Sequence, residues 1–139
     1  MCSQETADNK TPTSFLVDTD IFIDYLNGIF SAKQLLDSLE SKVYCSAVTE
    51  KELFQKQGLS STERRRIMTL LSKHRLIPVD NEIAEKFSRL MVKYASKNIR
   101  KADALIAATS WAKKLALVTN NVKHYRFIKE IRLLEITKL

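Results

Sequence analysis

Short apolar segments recur along the chain and are separated by longer stretches with helical periodicity. They read FLVD (15–18), VYCS (43–46), LIPV (76–79), ALVT (116–119) and, more weakly, LLEI (133–136). Polar residues flank each segment, a pattern typical of strands that are buried on both faces of a parallel sheet. We therefore predict five strands at these positions.

Helices are predicted between the strands, where apolar residues recur three and four positions apart. Segment 20–27 has this spacing and is followed by Gly28, a residue that commonly terminates helices. Ser31 is predicted to cap the next helix, and Ser60 with Glu63 is predicted to form a capping box. The predicted helices beyond the first cover 31–40, 47–57, 60–74, 81–94 and 100–114.

The alternation of strands and helices indicates consecutive βαβ units. We predict an α/β fold, a three-layer α/β/α sandwich around a central, mostly parallel sheet of about five strands. The chain has 139 residues, the length of one ordinary domain. Residues 1–14 are polar and rich in turn formers, which predicts a flexible N-terminal tail, and residues 15–139 are expected to form the folded domain.

The composition excludes several classes of function. With two glycines, Gly28 and Gly58, the chain has no Gly-rich phosphate-binding loop. Its two histidines and two cysteines stand singly, so they provide neither the clustered ligands of a structural zinc nor a disulfide framework. Lys and Arg number 23 against 16 Asp and Glu, and this net charge of +7 favours polyanionic partners such as nucleic acid.

The absence of long apolar segments from the sequence also indicates where in the cell the protein is expected. No apolar stretch approaches the roughly 18 residues of a membrane-spanning helix, and the N-terminus lacks the basic and apolar regions of a signal peptide. We therefore expect a cytoplasmic protein with no membrane association.

Polar side chains gather where predicted strands end. Asp18 and Asp20 follow the first strand, Asn121 follows the fourth, and Asp103 lies near the start of the helix before the fourth. In a parallel sheet these positions share one edge, the usual ligand site. Carboxylates meeting there would repel one another unless a cation lay between them, and Mg²⁺ or Mn²⁺ suits such oxygen ligands. Each residue taken alone could instead be a helix cap or a turn former.

Two glutamates of the helix predicted at 47–57 are further candidates. Glu52 flanks Val48 on a helical wheel, whereas Glu50 falls between Leu53 and Phe54. Periodicity does not show which of the two points inward, and either could be a solvated surface residue.

Three segments in order resemble the motifs of the PIN domain family, in particular the VapC-type toxins of bacterial and archaeal toxin–antitoxin modules. The segments are LVDTDIFIDYL, SAVTEKELF and ADALIAATSWAKKLALVTNNVKHY, and the similarity covers about 15–137. The resemblance implies that Asp18, Glu52 and Asp103 are catalytic ligands of Mg²⁺ or Mn²⁺. Asn121 stands at the fourth catalytic position, often an aspartate in the family, and could orient a ligand or a water molecule.

The activity implied by the resemblance is metal-dependent hydrolysis of RNA by an endoribonuclease. Asp20 and Thr119 would orient the metal ligands from behind. Arg100 and Lys101 directly precede Asp103 and are expected to contact RNA phosphates at the mouth of the site. The implied partners are a VapB-like antitoxin, whose segment would block the site, and a second copy of the chain in a homodimer.

Two other functions stay open at this stage. Asp18-Thr19-Asp20 looks like the Asp-x-Asp motif of haloacid dehalogenase phosphatases, although the later TNN segment lacks the acidic pair of that family. A catalytically silent PIN-like module that binds RNA or a partner is also possible, because Asn121 stands where the family often carries an aspartate and His124 where it sometimes carries an acid.

Overall fold

The computed structural model describes residues 13–139, in which five strands are connected by seven α-helices, one or two between successive strands. Of the predicted tail, residues 1–12 lie outside this range. None of the helices described is both long enough and apolar enough to cross a membrane. In chain order the elements are β1 (Ser14–Val17), α1 (Thr19–Leu26), α2 (Phe30–Asp37), β2 (Lys42–Ser46), α3 (Ala47–Phe54), α4 (Ser61–Ser72), β3 (Arg75–Ile77), α5 (Asn81–Lys93), α6 (Lys101–Lys113), β4 (Ala116–Thr119), α7 (Val122–Tyr125) and β5 (Leu133–Glu135), with single 3₁₀ turns at Ala95–Lys97 and Ile136–Lys138.

All five strands run parallel in the order β3-β2-β1-β4-β5. The first strand is therefore central, and Leu16 lies opposite Tyr44 of β2 on one side and Leu117 of β4 on the other. Because the strands are parallel, their carboxyl ends share one edge of the sheet. This architecture confirms the predicted three-layer α/β/α fold.

Each face of the sheet carries its own hydrophobic core, because successive side chains of a strand point to opposite faces. Phe15 and Val17 of β1 pack into the core that contains α1 to α4, whereas Leu16 packs into the core that contains α5 to α7. Burial of each large apolar side chain contributes about 1.5–3 kcal/mol. The two cores hold the central strand, and thus the residue that follows it, in a fixed position.

The start of α2 differs from the prediction. Ser31 lies within the first turn, and the helix begins at Phe30 with Ile29 as an N-cap that makes no side-chain hydrogen bond. The Ile29 N–H donates to the carbonyl of Asp24 at 3.0 Å, and the Ile29 carbonyl accepts from Lys33 at 3.1 Å. The connection from α1 is so tight that the backbone itself starts the helix before Ser31.

Two other predicted helix signals are confirmed. Gly28 adopts φ 79° just after α1, a left-handed conformation that favours glycine. At the start of α4, Ser60 Oγ accepts from the Glu63 N–H at 3.0 Å, and Glu63 Oε1 accepts from the Ser60 N–H at 3.1 Å. This reciprocal pair is the predicted capping box.

Candidate active site

Three carboxylates from different elements are connected at the carboxyl edge of the sheet. Asp18 directly follows β1 and is the N-cap of α1, Glu52 lies in α3, and Asp103 lies in the first turn of α6. Asp18 is only 5% exposed and Asp103 only 8%. Because buried carboxylates are costly unless they are paired or hydrogen-bonded, such a cluster points to a functional site.

Asp18 is held by donors from both sides of the strand end. Its Oδ1 accepts from the Thr19 N–H at 2.9 Å, and its Oδ2 accepts from the Thr119 hydroxyl at 2.7 Å. Burial raises the pKa of Asp18 above its ordinary value, although these hydrogen bonds oppose the shift. The side chain therefore has a fixed orientation at the centre of the edge.

Tyr125 of α7 is a site residue that sequence reasoning missed. Its side chain is fully buried, and its hydroxyl lies 3.1 Å from Asp18 Oδ1 and 3.3 Å from Asp103 Oδ1. The helix that carries it has four residues, too few to show a periodicity. The one available signal was its position shortly after the TNN segment, beyond the end of the fourth strand.

Glu52 joins the network through two threonines. The Thr19 hydroxyl donates to Glu52 Oε1 at 2.7 Å, and the Thr49 hydroxyl lies 2.8 Å from the same Thr19 oxygen. Glu50 lies instead beside the buried Cys45, whose thiol pKa is raised to about 12 by burial and by the Glu50 charge. Of the two glutamates that periodicity left open, Glu52 is thus the one connected to the other acids.

Two basic residues, Arg100 and His124, lie on the outer side of the acids. Arg100 is the residue just before α6, and its guanidinium lies 3.4 Å from Glu52 Oε2 and 3.5 Å from Asp103 Oδ2. His124 Nδ1 lies 3.7 Å from the same Asp103 oxygen. Arg100 is 63% exposed, so these contacts are screened by water and are weak. Arg100 therefore links two acids and can also turn toward an incoming anion.

Asp20 is bonded to the asparagines that follow β4. Its Oδ2 accepts from the Asn121 side chain at 2.9 Å and from the Asn120 N–H at 3.2 Å. Its Oδ1 is buried and has no hydrogen-bond partner in the described part of the chain. Burial, together with the Asp18 charge, raises the pKa of Asp20 to about 7. Asn121 thus faces Asp20, and its own N–H donates to Thr119 Oγ1 at 2.9 Å.

Comparison with known proteins identifies the family. The family model for the PIN domain matches residues 15–130. The chain belongs to the PIN domain family. This PIN domain is also 32% identical over 121 residues to Ribonuclease VapC10 of Mycobacterium tuberculosis, and the match covers 84% of the chain and 90% of that relative.

Solved structures are similar to this PIN domain over most of its length. A toxin–antitoxin complex from Klebsiella pneumoniae contains a chain that is 28% identical, with a TM-score of 0.73, covering 88% of this chain and 97% of that one. A DNA-bound VapBC structure from Salmonella typhimurium matches with a TM-score of 0.80 at 20% identity, covering 90% and 99%. At that lower identity the likeness concerns the fold alone.

The donor set of the PIN domain fits a divalent cation in its chemistry. Asp18 and Asp103 face the same hydroxyl, and carboxylate oxygens are the ligands that Mg²⁺ and Mn²⁺ prefer. Within residues 13–139, no three Asp, Glu, His or Cys side chains are arranged so that together they could hold a metal ion. Arg100 lies between Asp103 and Glu52 instead. A bound cation would therefore have to compete with this guanidinium for the two acids.

Lys101 is a predicted site residue that does not contact the site carboxylates in the described part of the chain. It is the first residue of α6 and is exposed. In the described part of the chain it forms no ion pair with a site carboxylate. Its position beside Arg100 is compatible with a contact to a ligand that approaches the edge from solvent.

Proposed function

We propose that this PIN domain is a metal-dependent endoribonuclease and the toxin of a VapBC-type module. The observation that carries the proposal is the pair of buried carboxylates, Asp18 and Asp103, at the carboxyl edge of the sheet. Family membership and the identity to a protein named a ribonuclease supply the reaction class. RNA hydrolysis by such a toxin would take place in the cytoplasm.

Mg²⁺ or Mn²⁺ is proposed as the cofactor, held by Asp18, Glu52 and Asp103. When bound, such an ion acidifies a water molecule and offsets the charge that develops on the phosphate. No side chain then has to act as a nucleophile. Asn121, the fourth proposed catalytic residue, would orient a ligand or water from its place beside Asp20.

The remaining site residues orient the acids and attract the substrate. The Thr119 hydroxyl would fix the orientation of the Asp18 carboxylate. Asp20 would stabilise the turn after β4 through its hydrogen bonds with Asn120 and Asn121. Arg100 and Lys101 would contact RNA phosphates, since both are exposed at the outer side of the acids. The net charge of +7 would assist the approach of RNA.

An antitoxin is proposed to occupy a groove beside Glu52. The groove has a volume of about 360 Å³ and lies between α1, α3 and α4. Ile21 and Leu35 of the neighbouring helices are buried in the core and do not line the groove. The similar solved structures are toxin–antitoxin complexes, which supports a protein partner here. The groove is lined by Ile23, Leu26, Asn27, Glu52, Leu53, Lys56, Leu59, Glu63, Arg66 and Ile67.

The chemistry of the groove indicates the kind of segment that fits. Ile23 is 46% exposed at the groove, so an apolar side chain of the partner would cover it. Lys56 and Arg66 could pair with acidic residues of the same segment. Because Glu52 also lines the groove, a bound segment would lie next to the active site and obstruct it. A homodimer is proposed as well, and light scattering of the purified chain tests it.

The direct test uses partner-free protein and total cellular RNA with Mg²⁺, with Mn²⁺ and with EDTA. We expect discrete fragments in the presence of metal and none in EDTA. The variant Asp18→Asn should give none in any condition. If folded wild-type protein cleaves no RNA with either metal yet still binds RNA, the silent binding module becomes the better description.

A further inference from the structure

Among residues 13–139, the hydroxyl of Tyr125 is the one group that hydrogen-bonds to both buried aspartates. It lies 3.1 Å from Asp18 Oδ1 and 3.3 Å from Asp103 Oδ1, and the tyrosine side chain is fully buried. The ring belongs to the core that contains α5 to α7. The packed ring thus aims a polar group at the space between two carboxylates that belong to different elements.

The phenol can relieve only part of the repulsion between these acids. A phenol carries one proton, so it donates to one carboxylate at a time while its oxygen faces the other. Because the Tyr125 side chain is fully buried, water cannot easily replace this donor, and the loss of a buried hydrogen-bond partner is costly. The hydroxyl therefore restricts the rotation of both carboxylates without neutralising their charge.

We propose that Tyr125 is a positioning residue that holds Asp18 and Asp103 in the orientation needed to receive a divalent cation. The inference rests on the proposed function. It states that Tyr125, which is not itself a metal ligand, contributes to the metal affinity. Partners that orient metal ligands typically change metal affinity by about 10–100-fold when they are mutated. Without the hydroxyl, the two carboxylates would become ordered only when the cation binds. The free-energy cost of this ordering would weaken cation binding.

A second buried tyrosine of the same core provides a matched control. The Tyr94 hydroxyl donates to Glu130 Oε1 at 2.7 Å and accepts from the Lys129 N–H at 3.0 Å, so it bonds to no site carboxylate. Tyr125→Phe and Tyr94→Phe each remove one bonded hydroxyl and keep the ring. Tyr94→Phe therefore controls for the loss of a bonded hydroxyl from the same core.

The test measures Mn²⁺ binding by titration calorimetry and the unfolding temperature of the metal-free variants. We expect Tyr125→Phe to bind Mn²⁺ about tenfold more weakly and Tyr94→Phe to bind like wild type. An affinity of Tyr125→Phe within twofold of wild type, or an equal loss in both variants, would overturn the proposal. If the wild-type protein cleaves RNA normally in that case, the proposed function stands. If the wild-type protein binds no Mn²⁺, both the proposed role of Tyr125 and the proposed metal-dependent function fail.

A measurement on the wild-type protein covers the case in which Tyr125→Phe does not fold. With isotope-labelled tyrosine, NMR should show the Tyr125 ring resonances moving during a Mg²⁺ titration while those of Tyr94 stay in place. Tyr125 resonances that do not move when the protein is saturated with Mg²⁺ would overturn the proposal.

Discussion

The Thr119 hydroxyl donates to Asp18 Oδ2 at 2.7 Å and so joins two residues that are 101 positions apart in the chain. Asp18 follows β1, and Thr119 is the last residue of its neighbour β4. The backbone continues this pairing, because the Asp18 N–H donates to the Val118 carbonyl at 2.9 Å. The register of one parallel strand pair thus determines where the first acid of the site lies.

Replacing Thr119 by valine should disturb this relationship while keeping the side-chain shape. Thr119→Val leaves Asp18 Oδ2 and the Asn121 N–H without a partner, so we expect a loss of about 1–3 kcal/mol in the free energy of unfolding and a large loss of RNA cleavage. Urea unfolding and a cleavage assay measure the two effects.

The control for this prediction is Thr109→Val in α6. Thr109 is also buried, but its hydroxyl donates to the Leu105 carbonyl within its own helix. We expect its cleavage rate to stay near that of wild type. Equal cleavage rates for both valine variants would show that the Thr119 hydroxyl does not position Asp18.

The raised pKa of Asp20 predicts a pH dependence of stability. Its ordinary pKa is 3.8, and burial raises it to about 7 in the folded protein. Between these values the folded state holds more protons than the unfolded state, so the Asp20 contribution to the free energy of unfolding falls as pH rises. Asp20→Asn should abolish this decrease. The free energy of unfolding of Asp20→Asn, relative to that of wild type, should therefore rise as the pH is raised from about 4 to about 7.

Urea unfolding in EDTA over this pH range tests the prediction, with Glu85→Gln as a control for loss of an exposed carboxylate. Glu85 lies in α5 and pairs with Arg89 there. A stability difference between Asp20→Asn and wild type that does not change with pH would show that Asp20 keeps its ordinary pKa.

Arg100 is expected to contribute to RNA affinity by charge. Each phosphate contact that is lost should reduce the slope of log affinity against log salt by about one. We therefore expect Arg100→Gln to weaken RNA binding and to lower this slope. Arg89→Gln is a close control, since the Arg89 side chain is 62% exposed and that of Arg100 is 63%. Equal salt slopes for the two variants would remove Arg100 from the RNA contact.

The proposed antitoxin groove can be tested with two isoleucines of equal exposure. Ile23 lines the groove and Ile29 does not, and each is 46% exposed. We expect Ile23→Asp to lower affinity for the cognate antitoxin by tenfold or more, because a charge would be buried against an apolar partner. Ile29→Asp should bind like wild type. Full binding by Ile23→Asp, measured by calorimetry, would place the antitoxin elsewhere.

Most of the fold was predictable because the strands are short apolar runs with clear polar borders. The fourth strand matches its prediction at both ends, Ala116 and Thr119. The order of the strands was not predictable, since it depends on which helix packs against which face. The false cap at Ser31 has the same origin, because contacts across the turn after α1 override a local capping preference.

The site was predictable only where residues follow strands or match a motif. Asp18 and Asp20 could be placed at the sheet edge from their positions after the first strand. Glu52 was selected over Glu50 by resemblance, and its hydrogen bond to Thr19 depends on the packing of α3 against α1. Tyr125 was not foreseen, because a buried hydroxyl that serves the site looks the same in sequence as one that serves the core.

Asp103 is proposed as a catalytic carboxylate of an endoribonuclease. The most direct measurement compares RNA cleavage in Mn²⁺ by wild type, Asp103→Asn and Glu82→Gln. Glu82 is also an acid in the first turn of a helix, but it is exposed. We predict that Asp103→Asn folds normally and loses cleavage by more than about 100-fold, the upper range for residues that only orient ligands. A cleavage rate of Asp103→Asn near those of wild type and Glu82→Gln would show that Asp103 is not a catalytic residue.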